Sequence, residues 1–215
     1  MAEELGTYRA RLGNHAVSLT CRSDFEDKAR AFLDTLAELD AQPGAAIFFG
    51  GLLFRIAPTP SGLEVRQPDY LAEAPPKAGP GAEDAWATWV ADVSDALVLL
   101  TAQLRVTSII GVEPCDYRID QTITVLKAAI EQERFYMVRQ EPSSPNDSGW
   151  YLGSAEDAPQ DHAPTNYTVV PLAALFRMRP AALRVLALPP GFLARFEGDA
   201  LVGVGNEKDE EVYAR

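Results

Sequence analysis

The run Ser-Ser-Pro-Asn-Asp-Ser-Gly-Trp-Tyr, residues 143–151, sets an aspartate beside a serine, Asp147 and Ser148, and His162 follows. Serine, histidine and aspartate are the parts of an acyl-transfer site: a hydroxyl nucleophile, a base to take its proton, and a carboxylate to orient the base. A nucleophilic serine, however, usually sits on a strained elbow such as Gly-x-Ser-x-Gly. Ser148 stands instead in Asn-Asp-Ser-Gly, where each residue has a local reason to turn. Asparagine and aspartate bond their own backbone, and glycine accepts positive φ. Nothing in the sequence holds His162, which lies in an acidic loop, near Ser148. The run reads as a structural turn.

Other chemistries lack their residues. Neither G-x-x-x-x-G-K-[ST] nor G-x-G-x-x-G occurs, so no phosphate cradle is expected. Glu156, Asp157 and Asp161 could hold a hard cation with water, but their spacing is not that of an EF-hand, and a solvated loop is the simpler reading. His15 and His162 are the only histidines, and no C-x-x-C or H-E-x-x-H occurs. No catalytic residue, metal or cofactor is therefore expected.

The charge balance points to a kind of partner. The chain has 31 acidic against 19 basic residues, a net charge of −12. The excess is spread through the chain, with 17 acids and 10 bases up to residue 118 and 14 and 9 after it. Such a surface repels phosphate backbones and attracts basic proteins. Cys21 and Cys115 are too few for a disulfide framework. The acidic N-terminus has no apolar signal region, and the apolar runs at 45–54 and 96–100 are too short to span a bilayer. These features predict a soluble cytoplasmic protein that binds neither nucleic acid nor membrane.

The elements that must position these residues follow from periodicity. A strand is expected at 15–21, then a helix over 24–40 opened by a capping box at Ser23 and Glu26. Residues 45–57 read as one buried strand bulged at Gly50-Gly51, returning through 63–66. Residues 73–84 are loop-like. Trp86, Trp89, Val90, Val93, Leu97, Leu100 and Leu104 form one stripe of a core helix over 83–105. Ile123, Leu126, Ala129 and Ile130 suggest a further helix over 119–133. Strands are expected at 135–139, 150–153 and 167–170, with a turn at 142–149 and an acidic loop at 155–165. A short helix at 171–178, an apolar segment at 181–187 and a closing hairpin at 192–196 and 201–204 follow. Residues 206–211 suggest a mobile charged tail. With no regular β-α-β rhythm, the fold class is α+β, with mixed, mostly antiparallel short strands and three main helices.

Residues 135–189 carry an ordered series. An aromatic strand ends in Arg139, followed by Glu141-Pro142 and Asp147-Ser148-Gly149-Trp150. Gly153 then steps into Glu156-Asp157, Asn166 opens a strand, and Val169-Val170-Pro171-Leu172 leads to Pro180 and Pro189. This series resembles the thirty-third type of immunity domain in bacterial polymorphic-toxin systems. The resemblance covers roughly residues 120–205, and its acidic loop departs from the expected run at 158–164. It implies a cytoplasmic antitoxin without catalytic residues, made beside a secreted toxin. It also implies an N-terminal region at 1–118, an immunity-type domain at 119–206 and a charged tail at 207–215.

Resemblance and charge together predict a basic protein toxin as partner. Glu156, Asp157 and Asp161 are candidate contacts, with Tyr151 and Tyr167 as flanking anchors. Arg139, Asp147, Ser148, Gly149, Trp150 and Asn166 are assigned to the structural motif, with Trp150 packing the turn in place. The alternatives are an adaptor or chaperone for a secreted effector, and a small hydrolase with Ser148 at its site.

Overall fold

A computed structural model describes residues 4–39, 42–72, 86–156 and 163–215. The chain forms two compact units, Met1–Asp69 with Trp86–Thr101, and Tyr70–Ala85 with Ala102–Arg215. Each contains a sheet of mostly antiparallel strands with helical segments, so the class is α+β.

In the first unit, β1 (Leu5–Leu12) and β2 (His15–Arg22) form an antiparallel hairpin. A 3-10 turn, Ser23–Phe25, leads into α1 (Glu26–Glu38), which packs on these two strands through Ala29, Phe32, Leu33 and Leu36. The expected capping box does not form: neither cap position makes a side-chain cap bond. Arginines take the acids instead, with Asp24 paired to Arg22 at 2.5 Å and Glu26 to Arg30 at 2.7 Å.

The stretch expected as one bulged strand is two, β3 (Ala46–Phe49) and β4 (Leu52–Thr59), paired from Phe49↔Leu52. Gly50 and Gly51 have φ of 53° and 82°. Positive φ at both central residues is what a two-residue hairpin of matching twist requires. β5 (Gly62–Pro68) returns beside β4 and runs parallel to β2, giving the order β1-β2-β5-β4-β3. Phe32 of α1 closes on Phe49 and Phe54 at ring distances of 4.9 and 4.7 Å.

The helix expected over 83–105 begins later. Trp89–Val90 is a short strand, β6, paired with the end of β5, and α2 runs from Ser94 to Ile110. The Asp92 carboxylate accepts from the Ser94 amide at 2.9 Å and its hydroxyl at 2.5 Å, a side-chain bond that opens the helix there. Trp86, Val93 and Leu97 are buried as the stripe implied. Trp89 is half-buried in its strand with the Arg55 guanidinium 4.2 Å over its ring, Leu100 is half-buried, and Leu104 is 53% exposed. The loop at 73–84 lies outside the described residues.

In the second unit, residues expected as a helix over 119–133 form β7 (Thr122–Leu126) and a 3-10 turn, Lys127–Ile130. Thr-Ile-Thr-Val is a β-branched run that stiffens readily as strand. Pairing on both sides, parallel to β9 (Asp147–Ser154) and antiparallel to β10 (Tyr167–Pro171), overrides the helical spacing. β8 (Arg134–Arg139) lies beside β9. A helical run follows β10, with a 3-10 turn Leu172–Ala174 continuing into α3 (Leu175–Met178), then a second 3-10 segment, Pro180–Val185.

β11 (Leu193–Glu197), β12 (Ala200–Gly205) and β13 (Glu211–Ala214) complete the order β10-β7-β9-β8-β11-β12-β13. The charged run expected as a loose tail therefore leads into a paired strand, whose Glu211 carboxylate meets Arg195 on β11. One face of this sheet is core: Ile123, Val125, Phe135, Met137, Trp150, Leu152, Ala194 and Phe196 are all buried, with Phe135 stacked on Phe196 at 4.7 Å. Strand alternation sends the intervening residues to the other face.

Candidate functional site

The turn between β8 and β9 is tied from within. The Asp147 carboxylate accepts from the Ser143 amide (2.9 Å), the Ser143 hydroxyl (2.7 Å) and the Gly149 amide (2.9 Å). Partial burial works against its charge, but these three bonds outweigh it and hold the carboxyl below its ordinary pKa. Gly149 has φ +74°, and a Cβ there would stand 2.0 Å from the Gln140 carbonyl oxygen. Ser148 is fully buried. Its hydroxyl donates to the Thr122 carbonyl at 2.7 Å and accepts from the Trp150 amide at 3.2 Å. That hydroxyl is spent on joining β7 to β9.

Arg139, at the end of β8, is 3% exposed. Its guanidinium donates to four backbone carbonyls: Leu188 at 2.7 Å, Asp116 at 2.8 Å, Ser148 at 3.3 Å and Leu186 at 3.4 Å. Burial lowers its pKa. The charge persists because the carbonyl dipoles replace water around a group that almost never deprotonates. Trp150 lies under it, with the guanidinium carbon 5.8 Å from the ring centroid, and is 2% exposed. Arginine, aspartate, serine, glycine and tryptophan therefore make a scaffold beneath the turn.

The opposite face of the same strands presents tyrosines. Tyr136 on β8, Tyr151 on β9 and Tyr167 on β10 are all half-buried. Their rings follow one another at centroid distances of 5.9 and 6.2 Å, tilted by 55° and 43°. Gly153 leaves the room: a Cβ there would stand 2.3 Å from the Tyr136 ring and 2.6 Å from the Tyr151 ring. The rings floor an open groove of about 550 Å³, completed by Thr124, Gln140 and Glu141 and ending against the Asp147 turn. Val169, beside Thr124 on the same face, is 62% exposed.

Tyr151 and Tyr167 thus stand in one feature, and Tyr136 joins them unannounced by the sequence reading. Its only sequence signal is alternation with Phe135 and Met137, which gives its face but not its neighbours. Glu156 is exposed at the end of β9 and paired with Arg134 at 2.7 Å. Asp157, Asp161 and His162 lie outside the described residues. Asn166 closes a 3-10 turn, Pro164–Asn166, its amide donating to the Ala163 carbonyl just before β10.

Residues 102–206 match the family model of the Imm33-like domain. Over this stretch the chain is similar to that domain. The match starts at the residue where the second compact unit resumes, so it takes in the end of α2 as well as the sheet. There Gln103, buried within the matched stretch, donates to the Tyr117 hydroxyl at 2.7 Å and the Leu183 carbonyl at 2.9 Å. The motif scaffold and the tyrosine groove both fall within the match. No curated protein and no solved structure matches the chain. No described helix is long and apolar enough to cross a membrane.

Proposed function

We propose that this chain is an immunity protein, which binds a cognate secreted bacterial toxin acting in the cytoplasm and neutralises it without chemistry of its own. The observation that carries this reading is the match of residues 102–206 to the Imm33-like domain. Two physical features support it. The net charge of −12 suits a basic partner, since complementary charge speeds encounter and rejects wrong partners. The motif residues are spent on folding: Ser148, the only serine offered as a nucleophile, is buried with its hydroxyl bonded on both sides.

The toxin partner is basic, and Glu156, with Asp157 and Asp161, steers it while tyrosines hold it. The first compact unit, Met1–Asp69 with Trp86–Thr101, lies outside the match to the Imm33-like domain.

Co-expression with the product of the adjacent toxin gene tests the reading. The two proteins should copurify, and growth should be rescued. Copurification without rescue makes the chain an adaptor or chaperone, and absence of both sinks the immunity assignment.

A further inference from the structure

We infer that the tyrosine groove is the seat of the toxin and that it takes an arginine side chain projecting from the toxin's surface. The inference rests on the immunity reading for the identity of the partner, and on the groove alone for the chemistry.

Three features converge. Tyr136, Tyr151 and Tyr167 form a concave aromatic floor, their rings inclined to one another by 55° and 43°. A cation set over such faces is attracted by the ring quadrupoles, and a flat guanidinium stacks on them as a compact ammonium does not. The groove's end carries two carboxylates that differ in availability. Asp147 is saturated by three donors of its own turn. No described residue bonds or pairs with the carboxylate of Glu141, which is exposed at the rim. Glu141 is therefore the acceptor open to a ligand, able to take two parallel N–H bonds from one guanidinium.

The third feature is what the lining lacks: among the described residues, no lysine, arginine or histidine lines the groove. Of the cations nearby, Arg139 feels the charge of Glu141 but spends its guanidinium on four backbone carbonyls. Arg134 pairs with Glu156 at 2.7 Å, and Lys127 donates to the Thr165 carbonyl at 2.7 Å. Among the described residues that line the groove, an incoming cation meets no competing positive charge. Arginine and tyrosine are also the residues on which binding energy concentrates at protein interfaces. Protection from solvent by the surrounding contact would strengthen both the stacking and the ion pair.

The test has two arms. In the first, the full chain with 13C-labelled tyrosine is titrated with N-acetyl-arginine amide and with its neutral isostere, N-acetyl-citrulline amide. The ring signals of Tyr136, Tyr151 and Tyr167 should shift and saturate with the arginine probe, and citrulline should bind at least about tenfold more weakly. Glu141→Gln should weaken the arginine probe and leave citrulline as it was. Equal response to both probes, or ring signals that stay put, overturns the arginine assignment.

In the second arm, Glu141→Gln and Tyr151→Ser are co-expressed with the adjacent toxin gene product, and Tyr151→Phe serves as the variant that keeps the ring. Both substitutions should lower protection at unchanged melting temperature, and Tyr151→Phe should retain most of it. Glu141 is exposed, so its variant keeps the test sharp even if Tyr151→Ser folds poorly. If the unaltered chain protects and Glu141→Gln and Tyr151→Ser protect equally well, the groove is not the seat and the immunity reading stands. If the unaltered chain fails to protect, the immunity reading falls, and the probe titration still decides the chemistry of the groove.

Discussion

Arg139 and Trp150 donate to the same oxygen, the carbonyl of Leu186, at 3.4 and 3.3 Å. The two side chains come from neighbouring strands, paired as Arg139↔Trp150. Their common acceptor lies beyond the 3-10 segment Pro180–Val185, so one carbonyl ties strand, turn and following segment together. Removing the guanidinium leaves the Leu188 and Asp116 carbonyls short of a donor as well. Arg139→Met should therefore destabilise the chain by about 3–5 kcal/mol. Urea unfolding, read as a fall in midpoint at constant slope, checks it.

Asp147 links stability to acid. Its folded pKa is lowered, so its contribution is fully present above the unfolded value near ~3.9 and is lost as pH falls through the folded one. Asp147→Asn should be less stable than the unaltered chain at pH 7 and should lose less on going to pH 3. Asp147→Ala should cost about 1 kcal/mol at pH 7, by analogy with a lost helix cap. Denaturant titrations at both pH values give the comparison.

Gly149→Ala meets two obstacles, the positive φ and the Gln140 carbonyl oxygen at 2.0 Å from the new Cβ. Gly13→Ala meets only the first, since nothing lies within 4 Å of its Cβ. The Gly149 variant should lose more than the ~1–3 kcal/mol expected for left-handed backbone alone, and the Gly13 variant should stay within it. A matched pair of melting curves decides the order.

The two cysteines should differ in reactivity. Cys21 is fully buried, and burial, with Asp92 and Asp24 nearby, pushes its thiol up to about 11. Cys115 is only partly covered. A thiol reagent at pH 8 should label one cysteine per folded chain, at Cys115, and two after unfolding. Labelling of Cys21 at the same rate would mean that β2 opens readily.

Triple substitution of Glu156, Asp157 and Asp161 to their amides should slow association with the toxin and flatten its salt dependence, with dissociation nearly unchanged. Glu156 is paired with Arg134, both exposed, so its single substitution should change the association rate only slightly. Stopped-flow rates at several salt concentrations separate the two steps.

The ordered motif from Arg139 to Trp150 was legible because its residues have distinctive local jobs: a turn aspartate, a positive-φ glycine, an aromatic plug. Their acceptors were not, since the carbonyls of Asp116, Leu186 and Leu188 carry no side-chain signature. Long alternating or apolar runs gave β2, β4, β5, β8, β10 and the β11–β12 hairpin. Local period failed at Thr122–Leu126, where Ile123 and Leu126 also fit a helix and only distant partners in β9 and β10 decide. β1 was missed although Tyr8-Arg9-Ala10-Arg11-Leu12 alternates, with Thr7, Arg9 and Arg11 on the exposed side. Tyr136 escaped for the same reason as β7: its opposition to Gly153 is set by cross-strand register, which no single segment reveals.

Chain order gives the sheet a history. The strands bearing the three tyrosines are all synthesised by Pro171, and β8 and β9 close over a short loop, so they pair early. The carbonyls of Leu186 and Leu188 come later, and β11 must reach back from Leu193 to Val138 before β8 has a neighbour on its other side. In order of synthesis, then, the aromatic strands precede two of the carbonyls that complete the arginine lock beneath them. A chain halted between these two points would carry all three rings and the Asp147 turn but lack the Leu186 and Leu188 carbonyls that Arg139 grips.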